Sequence, residues 1–284
     1  MSSTRSGIRN TRFYDAANPK APLGGLCQNG SITEANFLSI LKILIVPEGK
    51  PVRAQERISG HVVTENNMSL VAGDYDIYCD DPIQVTNEPW VQRLSFRRNT
   101  PDRETIFQRE VRTRDKKCVI TGIANSDIQI QLGIWAERES LWIQYGYDQL
   151  ITDMGNATGS SKIDSVQNGF LLNPTAQQLF DQYLISINPD DGYKVVVFGN
   201  DIFGYDGRTL DPVCRNPADP HSLSDQVLRW HFRQSVLANI RGVGEPIFEH
   251  DFPPGTDMVD EILAGPFGKE RFEFAIATRL RGVA

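Results

Sequence analysis

The sequence predicts an α+β fold with one continuous core. Three observations carry that prediction: apolar residues at helical spacing near residue 40 and after residue 224, short β-rich runs clustered between 50 and 98, and a helix at Asn173-Pro174 leading into the strand YKVVVFG. With 284 residues, 40% apolar and 23% charged, the chain can bury a substantial core. It divides into 1–98, an N-terminal arm, helix and small antiparallel sheet, and 99–284, a core with C-terminal packing helices, the two expected as one globular unit.

Residues 1 to about 30 are rich in Gly, Pro and Asn (DAANPKAPLGGLCQNG) and read as an extended arm packed onto the body. From Thr33, the spacing of Phe37, Leu38, Leu41, Leu44 and Ile45 predicts a helix that Pro47 and Gly49 stop. The runs HVV, SLVAGDYDIYC, PIQV and WVQRLSF, separated by turn residues, supply the sheet. Thr100-Pro101-Asp102 offers a cap and a first-turn proline for a helix to about Arg114, with Ile106, Phe107 and Val111 inward. At Asn173-Pro174 a further helix begins, with Leu179, Phe180, Tyr183, Leu184 and Ile187 on one face. Further helices are expected at 224–239, with Gly242 as the stop, at 257–264 and at 267–280.

A formal charge of −7 makes nucleic acid an unfavoured default partner. The most apolar stretch, FLSILKILIVP, is short and interrupted by Ser39 and Lys42, so a soluble, cytoplasmic protein with no membrane partner is expected. Cys27, Cys79, Cys118 and Cys214 lie far apart without CxxC spacing and read as reduced, mostly buried thiols.

Three segments, RDKKCVITG at 114–122, VQNGFLLNPTAQQLFDQY at 166–183 and INPDDGYKVVVFG at 187–199, resemble a fungal branch of the HNH endonuclease family. Further likeness occurs at GYDGRTLDPVCR, LRWHFRQSVLANIRG and DFPPGTDMVDEI. The resemblance implies a ββα frame that presents a histidine on its first strand, an asparagine in the following loop and a second histidine where the helix starts. One imidazole would act as general base on water. The other, with neighbouring oxygens, would hold a divalent ion that stabilises the leaving phosphate oxygen.

This chain departs from the pattern where that chemistry sits. Its histidines are His61, His221, His231 and His250, with none between 62 and 220. The first-strand position falls near Gln131-Leu132-Gly133-Ile134-Trp135, so Leu132 or Gly133 replaces the base. The helix-start position falls at Gln177, and the loop asparagine is kept as Asn168. Neutral amide carbonyls are weak ligands for a transition metal, so the expected frame is a degenerate one without a metal site. His61 and His231 are expected in packed or hydrogen-bonded structural roles.

Trp135, Trp142, Tyr145 and Tyr147 cluster around the lost first motif together with Gln129, Gln131 and Gln144. Flat apolar surfaces with a few amides are the usual make-up of a small-molecule site, although core aromatics are equally commonplace. Arg93 to Lys117 is unusually basic; it reads as a solvated helix face balanced by Asp102, Glu104, Glu110 and Asp115, or as an anchor for an anionic group. Asp190-Asp191 reads as a turn, and GVGEP and GGL lack the context of a phosphate loop.

The function expected is a metal-independent cyclase of fungal secondary metabolism, a pericyclase of Diels–Alderase type acting on a hydrophobic terpenoid or polyketide polyene, with no cofactor. Trp135, Trp142 and Tyr145 would shape its pocket, and Gln131, Asn168 and Gln177 would polarise or orient the substrate. The alternative is a catalytically dead nuclease homologue that binds a nucleic acid or a protein. The sequence leaves the oligomeric state open, a homo-oligomer included.

Overall fold

In the computed structural model, residues 8–45, 51–88, 90, 106–124, 130–131, 143, 146–152, 162–216, 218–242, 257, 259–260 and 263 are described. The chain divides into two compact units, each discontinuous in sequence. The first is Met1–Gln92, Val197–Ile202 and Arg233–Ala284, and the second is Arg93–Val196 and Phe203–Phe232. The whole is α+β.

In the first unit, β1 (Thr11–Asp15) buries Thr11 and Phe13 and leaves Arg12 and Tyr14 partly exposed, the two-residue period of a strand. Beside it β2 (Pro22–Leu26) runs antiparallel. Gly24 is required there, because a Cβ would land on the Phe13 ring and the Ile240 carbonyl. With β3 (Arg53–Glu56) and β4 (Asp74–Tyr78) these strands form a sheet of order β2-β1-β4-β3.

The sheet corrects two sequence expectations. Residues 11–26 are not an arm: β1 is an interior strand of the sheet. Nor is the sheet purely antiparallel, since β1 pairs parallel with β4. A parallel pair needs a long crossover, and here it contains β2, the helix α1 (Glu34–Leu44) and β3. The Gly and Pro content of 16–25 marks the β1–β2 turn and a close-packed strand, signals that also resemble those of a loop.

Helix α1 opens with a reciprocal cap, Thr33 Oγ1 accepting from the Asn36 amide while Asn36 Oδ1 accepts from the Thr33 amide. It buries Phe37, Ile40, Leu41 and Leu44, and Leu38 is only half-buried. Phe37 meets Phe13 edge-on at 5.8 Å and Tyr75 at 5.1 Å between ring centroids, which is the centre of this core.

In the second unit, α2 (Ile106–Asp115) buries Phe107 and Val111, but Ile106 is 55% exposed rather than inward. The strands β5 (Ile130–Gln131) and β6 (Phe170–Leu171) pair antiparallel, with Gln131 opposite Phe170. Asn173 then caps α3 (Pro174–Asp181) by accepting from the Ala176 amide, with proline in the first turn as predicted. This helix stops earlier than its apolar spacing suggests. Tyr183 turns left-handed (φ 59), its amide donates to Phe180 O and the Leu184 amide to Leu179 O, a Schellman ending. Ile187 therefore belongs to β7 (Ile185–Asn188), which forms a two-stranded sheet with β8 (Lys194–Val197). Asp190 and Asp191 lie in the turn between them, as predicted.

The helix α4 (Asp225–Asn239) begins in the second unit and ends in the first. In the first unit its end is tied by Arg9, which donates to Asn239 O and Gly242 O, and by the Arg233–Glu88 ion pair. Of the helix expected at 257–264, Val259, Asp260 and Leu263 are helical. The one expected at 267–280 lies outside the described residues, as do 91–105. Three of the four cysteines are buried and all are free thiols. Among the described residues, no helix is long and apolar enough to cross a membrane.

Candidate functional site in the ββα frame

β5, β6 and α3 form the strand, strand and helix order that the resemblance implies. Asn168 ends a short helical turn (Val166–Asn168) immediately before β6, and Gln177 lies in the first half of α3. The Asn168 side chain is buried, and its Nδ2 donates to Ile163 O at 2.8 Å. Among the described residues its Oδ1 is buried without a partner, and so is Oε1 of Gln177.

The loop carrying Asn168 is held from several directions. Arg114 Nη1 donates to Val166 O and His221 O, and its Nη2 donates to Gly169 O. The same guanidinium pairs with Asp115, Nε to Oδ1 at 2.6 Å and Nη2 to Oδ2 at 3.1 Å. Asp115 Oδ2 also accepts from the Leu171 amide of β6. Burial pushes the Asp115 carboxyl up, although Arg114 and the Leu171 amide pull the other way. Gln167, next to Asn168, accepts from the Thr152 amide and donates to Pro220 O, while its own carbonyl accepts from Ser224.

Sequence reasoning missed this clamp because Arg114 sat inside a basic run. The signal was present: positions 107, 111, 114 and 115 share one helical face, so Arg114-Asp115 continues the buried stripe of α2. The rest of the described run divides. Lys117 pairs with Asp211 at 2.8 Å, and Arg109 and Lys116 are exposed. Arg93, Arg97, Arg98 and Arg103 lie outside the described residues.

Two other groups resemble catalytic ones and are structural. His231 is buried, stacked on Phe180 at 3.5 Å, with Nε2 3.0 Å from Phe180 O and Nδ1 2.7 Å from Ser186 Oγ. A carbonyl only accepts, so Nε2 carries the hydrogen and Nδ1 accepts from the serine hydroxyl. Both residues are sealed in the core, which is the packed role expected of His231. Burial, and after it the charge of Asp115, pushes the Cys214 thiol up to about 12, so it is not a nucleophile at neutral pH.

The structure places Asn168 and Gln177 in one frame, and Gln131 on its first strand by backbone, the Gln131 side chain lying outside what is described. Trp135, Trp142 and Tyr145 lie outside the described residues. Tyr147, the aromatic neighbour that is described, tilts against Trp230 at 5.2 Å. Among the described residues no three His, Cys, Asp or Glu side chains gather as metal ligands. Asn168 and Gln177 offer neutral carbonyl oxygens, a donor set that does not fit a transition-metal ion.

Residues 118–188 match the HNH endonuclease family, about a quarter of the chain, and residues 8–84 match a domain of unknown function (DUF8573). The first span contains β5, β6, α3 and β7 with Asn168 and Gln177, and the second contains the four-stranded sheet and α1. No curated protein and no solved structure matches the chain. The class so defined is an α+β protein carrying an HNH-like segment.

Proposed function

We propose that the HNH-like frame has been turned from phosphodiester cleavage to a metal-independent cyclisation, with the chain acting as a cofactor-free cyclase of fungal secondary metabolism. The observation that carries the reading is the pair of buried, unpartnered amide oxygens at the two motif positions, Asn168 and Gln177. Imidazole there would serve hydrolysis, whereas amides serve to hold and orient a neutral ligand. A pericyclic reaction asks for little more. Closing a diene onto an alkene forms two carbon–carbon σ bonds from π electrons, with no net oxidation and no leaving group, so proximity in a folded conformation supplies most of the acceleration. The substrate class is a hydrophobic terpenoid or polyketide polyene, and the narrowest form is a norbornene-forming Diels–Alder closure of the sordarin-diterpene kind. Trp135, Trp142 and Tyr145 would supply the apolar walls, and Gln131 the polar group on the first strand.

The test is incubation of the purified protein with linear polyene intermediates in excess chelator. Cyclised product formed faster than without protein supports the reading, and divalent-ion-dependent cleavage of DNA overturns it. A second reading, a binding module derived from a nuclease, draws on the exposed Arg109 and Lys116. It predicts association with nucleic acid that weakens steeply with salt.

A further inference from the structure

We infer that Asn168 presents a fixed acceptor to a hydroxyl group of the bound molecule, a proposal that rests on the small-molecule reading above and narrows its ligands to alcohols. The side chain is 1% exposed, and its orientation is determined by chemistry. Ile163 O has no proton to give, so the amide nitrogen must face it, and Oδ1 must face the other way. That oxygen is buried without a partner.

The surrounding loop has no slack with which to relieve it. Arg114 holds the carbonyls of Val166 and Gly169 on either side, the Asn168 amide donates to Ser165 O, and Gln167 is bonded to Thr152 and Pro220. An acceptor left buried and unpaired among the described residues costs about 1–3 kcal/mol, and in a segment otherwise so fully bonded it is where a bound molecule can donate. Oε1 of Gln177, at the other motif position of the frame, is orphaned in the same way.

The partner must bring a proton, and a hydroxyl is the neutral donor that a hydrophobic terpenoid or polyketide commonly carries. A carbonyl or ether oxygen brings no proton. An ammonium would need a carboxylate to offset its desolvation, and Asp115, the carboxylate of the clamp around this loop, is already bound to Arg114 and the Leu171 amide. A neutral hydroxyl brings one proton and no charge. Asn168 thereby orients the substrate by its alcohol through Oδ1, on the side away from the N–H that Ile163 O holds.

The experiment is equilibrium dialysis of the full chain against farnesol and farnesal, which share a carbon skeleton and differ as hydroxyl and aldehyde. The expected result is about ten-fold tighter binding of the alcohol, one hydrogen bond to an otherwise unpaired acceptor, with the ratio lost in Asn168→Ala. Equal affinity of the two probes for the unsubstituted protein overturns the proposal and leaves the small-molecule reading standing. Failure of both to bind overturns the two together. The comparison within the unsubstituted protein needs no variant to fold.

Discussion

Glu34 in the first unit and Asn168 in the second are both buried polar side chains at the edge of a secondary element, and their surroundings treat them differently. Glu34 accepts from His61 Nε2 at 2.6 Å, the Thr64 amide at 2.8 Å and Asn66 Nδ2 at 2.9 Å. Its network is complete within the chain, and it ties the 56–66 turn to the start of α1. Asn168 sits in an equally dense network, yet among the described residues its oxygen has no partner. A buried polar group that the protein satisfies itself is architecture; one that a rigid loop leaves open is where the ligand hydroxyl inferred above would bind.

The sharpest way to break this comparison is to remove the clamp. Arg114→Ala leaves Asp115 as a buried unpaired carboxylate and frees three carbonyls, and should cost about 3–5 kcal/mol in urea unfolding. A loss below about 1 kcal/mol would mean that the Asn168 loop is not rigidly held. Gly24→Ala in the first unit forces a methyl onto the Phe13 ring and the Ile240 carbonyl, and should cost about 1–3 kcal/mol in the same measurement.

Smaller effects test the two polar designs directly. Thr33→Ala removes the cap of α1 and should destabilise by about 1 kcal/mol. Gln177→Met should do the reverse, raising the melting temperature by the equivalent of up to about 1 kcal/mol, because it removes an unsatisfied acceptor. Destabilisation by that variant would show that the oxygen has a partner within the protein.

Acidification gives the last and gentlest contrast. For Glu34 burial works against ionisation, but the Thr64 amide and His61 outweigh it, and in Glu56 the Ser59 hydroxyl and amide dominate; both carboxyls are held below the ordinary 4.5. A depressed carboxyl contributes stability that is fully present above its unfolded value and is lost as pH falls through its folded one. Unfolding free energy should therefore decline below about 4.5, and less steeply in His61→Ala.

Local signals in the sequence are legible where a short-range rule sets the structure. Asn173-Pro174 starts a helix, Asp190-Asp191 makes a turn, and Phe37, Leu41 and Leu44 line a helical face, because capping, turn chemistry and periodicity involve residues a few positions apart. Long-range pairing was not legible. Nothing in TRFYD announces that it will lie parallel to DYDIY some 60 residues later, and its glycine-rich flank imitates a loop. Arg114 was hidden for the same reason: its partners Val166, Gly169 and His221 are named by the fold and not by its neighbours.

The sequence by itself determined that no histidine stands between residues 62 and 220, because residue identity does not depend on folding and neither an amide nor an aliphatic side chain can supply an imidazole. The resemblance read from the same residues puts the loop asparagine at Asn168 and the helix-start position at Gln177. Only the tertiary structure decided that Asn168 gives an N–H to Ile163 O and keeps its Oδ1 open among the described residues. Whether an amide is satisfied depends on which carbonyl the folded backbone brings within reach, and that is settled by packing, not by the order of residues.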